Sequence, residues 1–274
     1  MRKWLKTWHL IVLALIIVFL LSAKTFFPFL LWLPALNINQ FLVGWWPASW
    51  KEEVLLHDER KIIVKRSQTR GGRGEIGQSP IKQHSITFTL QDSGKTITWE
   101  DEFSKDVGHS NFDLLALHIL NDTPYIVVTT YGCLAYNKWG RPNPPYVFFK
   151  FDGNEWKRIP LSEFPPEFVE INTVINASAH EKVLVGQGVV SAEMVKKLNS
   201  SLKQPELKNI IRTLFEPEKY GCTEMVRAVD GWLGITWFSE EPNYEKCLEV
   251  CRREKVSPEQ CPCYKIFNKS EKEK

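Results

Sequence analysis

Ser85-Ile-Thr-Phe-Thr-Leu90, Gln91-Asp-Ser-Gly94 and Lys95-Thr-Ile-Thr-Trp99 form the stretch on which the fold turns. Two runs of β-branched and aromatic residues flank a turn made of Asp, Ser and Gly, and side chains alternate between the two faces of a strand. Ile86, Phe88 and Leu90 therefore share one face, and the segment reads as an antiparallel hairpin. Upstream, Glu53 to His57 and Lys61 to Lys65 flank Asp58-Glu59-Arg60 in the same way. Downstream, Leu114 to Leu120 and Tyr125 to Thr130 flank Asn121-Asp-Thr-Pro124, and Val147 to Phe151 and Glu155 to Ile159 flank Asp152-Gly153-Asn154. An Asp-Gly turn between such runs is the strongest local hairpin signal of the four.

Eight short strands with no helical segment read between them give a mainly β class, an antiparallel β-sandwich or open barrel with a C-terminal α segment. Paired four-stranded blades of a propeller-like unit also fit the pattern, but blades normally number four or more, so the sandwich is preferred. After Pro165-Pro166 the character changes. Val183 to Val190 reads as one more strand, and Ser191 to Leu202 as an amphipathic helix carrying Met194, Val195, Leu198 and Leu202. Glu206 to Leu214 reads as a second helix, separated from the first by Pro205.

At the N-terminus, Arg2, Lys3 and Lys6 precede an apolar run that starts at Leu10. Extended to Phe27, a helix would measure about 27 Å, close to a hydrocarbon core of about 30 Å. Lys24 can snorkel at its outer end, and Phe26, Phe27, Phe29 and Trp32 fall where an aromatic belt belongs. A cleaved signal would leave the apolar stretch Lys24 to Leu36 in water and place Leu21 where a small residue is preferred, so an uncleaved anchor is the preferred reading. The basic residues before the span keep the N-terminus in the cytoplasm and put the rest outside. The organisation is then 1–9 cytoplasmic, 10–27 transmembrane anchor, 28–50 aromatic juxtamembrane, 51–165 β-rich, 166–240 mixed strand and helix, and 241–274 cysteine-rich helical hairpin and tail.

Six cysteines, all beyond the span, are an even count in an exported chain and favour disulfides. Asn243 to Glu254 reads as a helix bringing Cys247 and Cys251 to one face. Ser257-Pro-Glu-Gln260 has the form of a capping box opening a short helix with Cys261 and Cys263. A nested order would pair Cys251 with Cys261 and Cys247 with Cys263 and leave Cys133 for Cys222, although the sequence alone allows other connectivities. A four-thiolate zinc site lacks the usual paired Cys-x-x-Cys spacing, as does a redox motif, so no metal is expected.

The net charge of +3 excludes nucleic acid as a default partner. Gly72-Arg-Gly74-Glu-Ile-Gly77 matches a dinucleotide string but runs into Gln78-Ser79-Pro80 rather than a helix, so no cofactor is expected. Ser200-Ser-Leu-Lys203 has the spacing of an acyl-enzyme nucleophile without its partner motifs. His84, His109 and Asp113 are the weak candidates for catalysis, because imidazole and carboxylate can share proton-transfer work if the fold brings them together. Arg70 and Arg73 give one loop a positive field suited to an anion. Trp139, Arg141 and Tyr146 lie in the proline-held segment Tyr136 to Tyr146, the densest candidate recognition surface. These features lead to an expectation of a single-pass inner-membrane protein whose exported domain binds, scaffolds or assembles with an envelope protein, its other partner being the bilayer. An exported hydrolase built on the His and Asp residues is the alternative.

Overall fold

In the computed structural model, which describes residues 47–73, 80–216 and 221–269, eight strands form two four-stranded antiparallel sheets. The first contains β1 (Ala48–Leu55), β2 (Lys61–Arg70), β3 (Ile81–Thr89) and β4 (Thr96–Asp101) in sequence order. The second contains β5 (Phe112–Leu120), β6 (Thr123–Thr130), β7 (Val147–Phe151) and β8 (Trp156–Ile159), again in sequence order. Neither sheet closes into a barrel. The four expected hairpins are present, with Leu55 opposite Lys61, Thr89 opposite Thr96, Leu120 opposite Thr123 and Phe151 opposite Trp156.

Period-two alternation explains the first sheet. Ile86 and Phe88 turn inward, while Thr87 and Thr89 turn out and meet Thr98 and Thr96 through hydroxyl hydrogen bonds of 2.9 and 3.1 Å. Val54, Ile62, Val64, Ile86, Phe88 and Trp99 share one core with Phe112, Leu114, Leu117, Ile126, Val128 and Val147 of the second sheet. Each fully buried side chain of this size contributes about 1.5–3 kcal/mol. The second sheet is covered on both faces. Its other side, with Leu115, Val127 and Phe148, packs against Phe164, Phe168, Ile175 and Ile210, which explains the nearly unbroken apolar run of β5.

A short helix, α1 (Gly132–Lys138), lies between β6 and β7, where the sequence pattern predicts none. Tyr136 sits in its last turn rather than in an extended segment. The strand expected at Val183 to Val190 is instead the end of α2 (Ala177–Gly186) followed by a loop. Glu181 on α2 is anchored by Gln68 Nε2 at 2.8 Å and by Arg70 Nη2 at 2.8 Å, a tertiary hold that overrides the strand preference of the valines. Only Val190 pairs with a strand: its N–H donates to Lys51 O at 2.9 Å, and its carbonyl accepts from Glu53 N at 2.8 Å along the edge strand β1.

Helix α3 (Ala192–Asn199) is capped by Ser191, whose hydroxyl accepts from Met194 N. The expected helix over Glu206 to Leu214 shrinks to a 3-10 turn at Pro205–Leu207. Beyond it Ile210 N donates to Val169 O at 2.8 Å, so a pairing between segments replaces the helical ladder. A further hairpin, β9 (Met225–Ala228) with β10 (Gly231–Gly234), leads to α4 (Thr236–Ser239), α5 (Tyr244–Arg253) and α6 (Cys263–Lys269). Asn243 caps α5 by accepting from Lys246 N at 3.0 Å. Ser257 to Cys261 form a turn, not the expected helix start, and the first α6 bond runs from Ile266 N to Pro262 O.

The expected membrane span at 10–27 lies outside the described residues, as do Gly74 and Gly77 of the glycine string. Among the described residues no helix is long and apolar enough to cross a membrane. The expected juxtamembrane segment ends within the sheet: Trp50 is a buried residue of β1.

Candidate functional site

The inner face of the first sheet is apolar at one end and polar at the other. Gln68, His84 and Asp101 stand opposite one another across β2, β3 and β4, beside a row that holds Trp50 and Arg66. Arg66 pairs with Glu52, which also accepts from Trp50 Nε1 at 2.8 Å, and the guanidinium lies over the Trp50 ring. Alternation in phase with Val54 and Val64 marks Glu52 and Arg66 as inward residues, a signal carried by strand periodicity rather than by any motif.

His84 Nε2 lies 2.9 Å from the Phe112 carbonyl and 3.4 Å from Asp101 Oδ2. Since a carbonyl only accepts, Nε2 carries the proton. Asp101 accepts from Asn111 Nδ2 and from Phe112 N, each at 2.7 Å, and Asn111 in turn accepts from Trp139 Nε1 at 3.2 Å. This chain fastens the end of the first sheet to the start of the second.

Asp113 faces a cavity lined with Arg66, Gln68, His84, Tyr131 and Asn176. Loss of water around its carboxyl pushes its pKa up; Asp101 adds to the rise, while His84 and Arg66 oppose it. Among the described residues no hydrogen bond reaches the Asp113 side chain. The cavity measures about 20 Å³, room for one water, whereas small-molecule sites run to several hundred Å³. Arg66 Nε is buried without a partner among the described residues, so one water is the natural bridge between it and its neighbours.

His109 stands apart. Its Nδ1 lies 2.6 Å from Ser110 O, its ring meets Tyr131 edge-on at 4.9 Å, and it faces an open hollow of about 790 Å³. Tyr131 borders both spaces, with His84 and Asp113 on one side and His109 on the other. The three residues cluster around this tyrosine without sharing a cleft. Arg73, Lys105, Arg227 and Trp232 also line the hollow. Arg227 is held by Asp106 at 2.8 Å, while Arg73 and Lys105 have no ion pair among the described residues.

The remaining candidates are engaged in packing. Arg70 holds Glu181 and donates to Ser178 O at 3.2 Å. Arg141 donates to Asn137 Oδ1 and Cys222 O and lies over Tyr136. Tyr146 OH contacts Glu206 O at 2.9 Å and accepts from Ile211 N, and burial pushes its pKa up to about 12. Ser200 donates to Lys197 O within its own helix end.

Three disulfides join Cys133 to Cys222, Cys247 to Cys263 and Cys251 to Cys261. The sulfurs of Cys251, Cys261 and Cys263 lie close enough to hold a metal ion, but each is already bonded to another sulfur and offers no thiolate. No protein-family model, no curated protein and no solved structure matches this chain.

Proposed function

We propose that this protein is a membrane-anchored, exported binding or scaffold module, with the two sheets packed as a β-sandwich and residues 10–27 as its anchor. The observation that carries the reading is that all six cysteines are paired in disulfides, which persist in oxidising compartments such as the periplasm or cell exterior. The apolar run after Leu10 supplies the anchor, and the basic residues before it set the orientation. The binding surface is the hollow beside Tyr131: Arg73 and Lys105 outnumber the carboxylate of Asp230 once Asp106 is paired with Arg227, while Tyr131 and Trp232 offer aromatic faces. Its partner is an envelope protein presenting acidic groups.

Topology reporters fused after Trp50 test the anchor: activity only outside the cytoplasm is expected, and activity inside overturns the reading. A photo-crosslinker placed at Lys105 tests the surface, with an adduct expected there and not at Thr98 on the exposed face of β4.

The convergence of His84 and Asp113 on one cavity favours the second reading, an exported hydrolase. The room for one water weighs against it. If a panel of ester, amide and phosphoester substrates is turned over and His84→Gln abolishes that turnover, the hydrolase reading replaces the first.

A further inference from the structure

The two C-terminal bridges are neighbours as well as staples. Cys251 Sγ lies 3.6 Å from Cys263 Sγ, and Cys261 Sγ lies 3.5 Å from the same atom, although neither is bonded to it. Cys247, Cys251 and Cys263 are buried, whereas Cys261 is partly exposed. Cys261 borders a hollow of about 390 Å³ whose walls include Pro262, Trp232, Lys138, Arg227 and Lys265. Access decides which sulfur of a disulfide a thiolate attacks. Asp106, Glu224 and Glu259 share these walls and balance the three cations, with Asp106 paired to Arg227 at 2.8 Å and Glu224 to Lys265 at 2.7 Å.

We propose that this cluster is a thiol-oxidising exchange site, with Cys261 as its entry sulfur and an external thiol, free or on a polypeptide, as its substrate. The thiolate attacks Cys261 Sγ, the Cys251–Cys261 bond breaks, and the electron pair leaves on Cys251. The Cys251 thiolate then attacks Cys263 Sγ. A Cys251–Cys263 bond forms, the Cys247–Cys263 bond breaks, and Cys247 leaves as a thiolate that takes up a proton. A second external thiolate attacks the external sulfur of the mixed disulfide and releases Cys261. In total two thiols are oxidised to one disulfide, and the two electrons remain as thiols on Cys247 and Cys261. No Cys-x-x-Cys spacing marks this arrangement, because its sulfurs come from two segments.

The test treats the full chain with reduced glutathione or, in a second arm, a synthetic single-cysteine peptide, followed by acid quenching, alkylation and peptide mapping by mass spectrometry. The expected product has the adduct on Cys261, a Cys251–Cys263 link and an alkylated Cys247 in the same molecules. Reaction in the glutathione arm assigns a free thiol as substrate, and reaction in the peptide arm a polypeptide thiol; reaction in neither overturns the proposal. Opening of Cys251–Cys261 with Cys247–Cys263 retained also overturns it. In a Cys247→Ser/Cys263→Ser double variant, the Cys251 thiolate can return only to Cys261, so several-fold less adduct is expected. An undiminished yield refutes the transfer step, while the mapping on the native chain stands whether or not this variant folds.

Discussion

Arg66 Nη1 lies 3.0 Å from Glu52 Oε1, and neither side chain is more than 4% exposed. The pair occupies inward positions of adjacent strands that hydrophobic residues fill elsewhere along the same face. Removing one member strands the other as an uncompensated buried charge, so Glu52→Gln should lower the unfolding free energy by about 3–5 kcal/mol. Replacing both with Leu and Met should cost much less. Urea denaturation of Glu52→Leu, Arg66→Met and the double variant checks this, and additive losses would contradict it.

His118 is buried with Nε2 2.9 Å from Glu170 O, its ring is stacked on Phe168, and Nδ1 has no partner among the described residues. Burial, the largest influence, pushes its pKa down to about 4. The unfolded chain takes up a proton on this residue near pH 6.5, and the folded chain refuses it until about pH 4. Stability is therefore fully present above pH 6.5 and should fall by roughly 3 kcal/mol by pH 4. His118→Asn, whatever it costs at pH 7, should flatten that acid limb in denaturation curves measured at several pH values.

Asp113 carries the opposite sign. Its carboxyl pKa is raised in the fold, so the folded state holds a proton more readily than the unfolded one, and this contribution improves as pH falls. Asp113→Asn removes the cost of a desolvated charge and should raise the urea midpoint at pH 8, with the gain shrinking towards acid pH. A lower midpoint at pH 8 would mean that the carboxylate is engaged in the native state.

Gly72 adopts a φ of +100°, and a Cβ there would land on the carbonyl oxygen of Gly108, a backbone atom that cannot swing aside. Gly72→Ala should cost at least about 2 kcal/mol, from left-handed strain together with the clash. Gly94→Ala, also at positive φ but with open space around it, should cost less. Thermal unfolding of the two variants separates the contributions.

The hairpins were legible because turn residues and alternation are local properties: Gly94 and Gly153 mark turns whichever partners the strands find. The nested C-terminal bridges were legible for a similar reason, since Cys247 and Cys251 are one turn apart on a capped helix. What was not legible depends on distant chain. Glu181 holds α2 against β2 across more than a hundred residues, and no window around Val183 contains that information. The site suffered in the same way. His84 and Asp113 border one cavity and His109 another, and this arrangement around Tyr131 depends on where β6 ends. Trp139, Arg141 and Tyr146 have the composition of a binding surface because buried aromatic and guanidinium groups use the same chemistry inside a protein as between proteins.

The pairing of Val190 with Lys51 and Glu53 has a consequence for the chain in company. An outermost strand displays a row of amide and carbonyl groups that can template the strand of another copy, the first step towards polymers. Val190 occupies two of those groups on β1, and Glu53 is further engaged by Ala192 N at 3.1 Å and by Lys61. A single residue of loop thus acts as a stopper at the rim of the sheet, set in place by the helix that begins just after it. Loosening that helix would open a free rim, and since each copy carries one such edge, concentrated protein would be expected to join β1 to β1 in closed pairs while each copy remained folded.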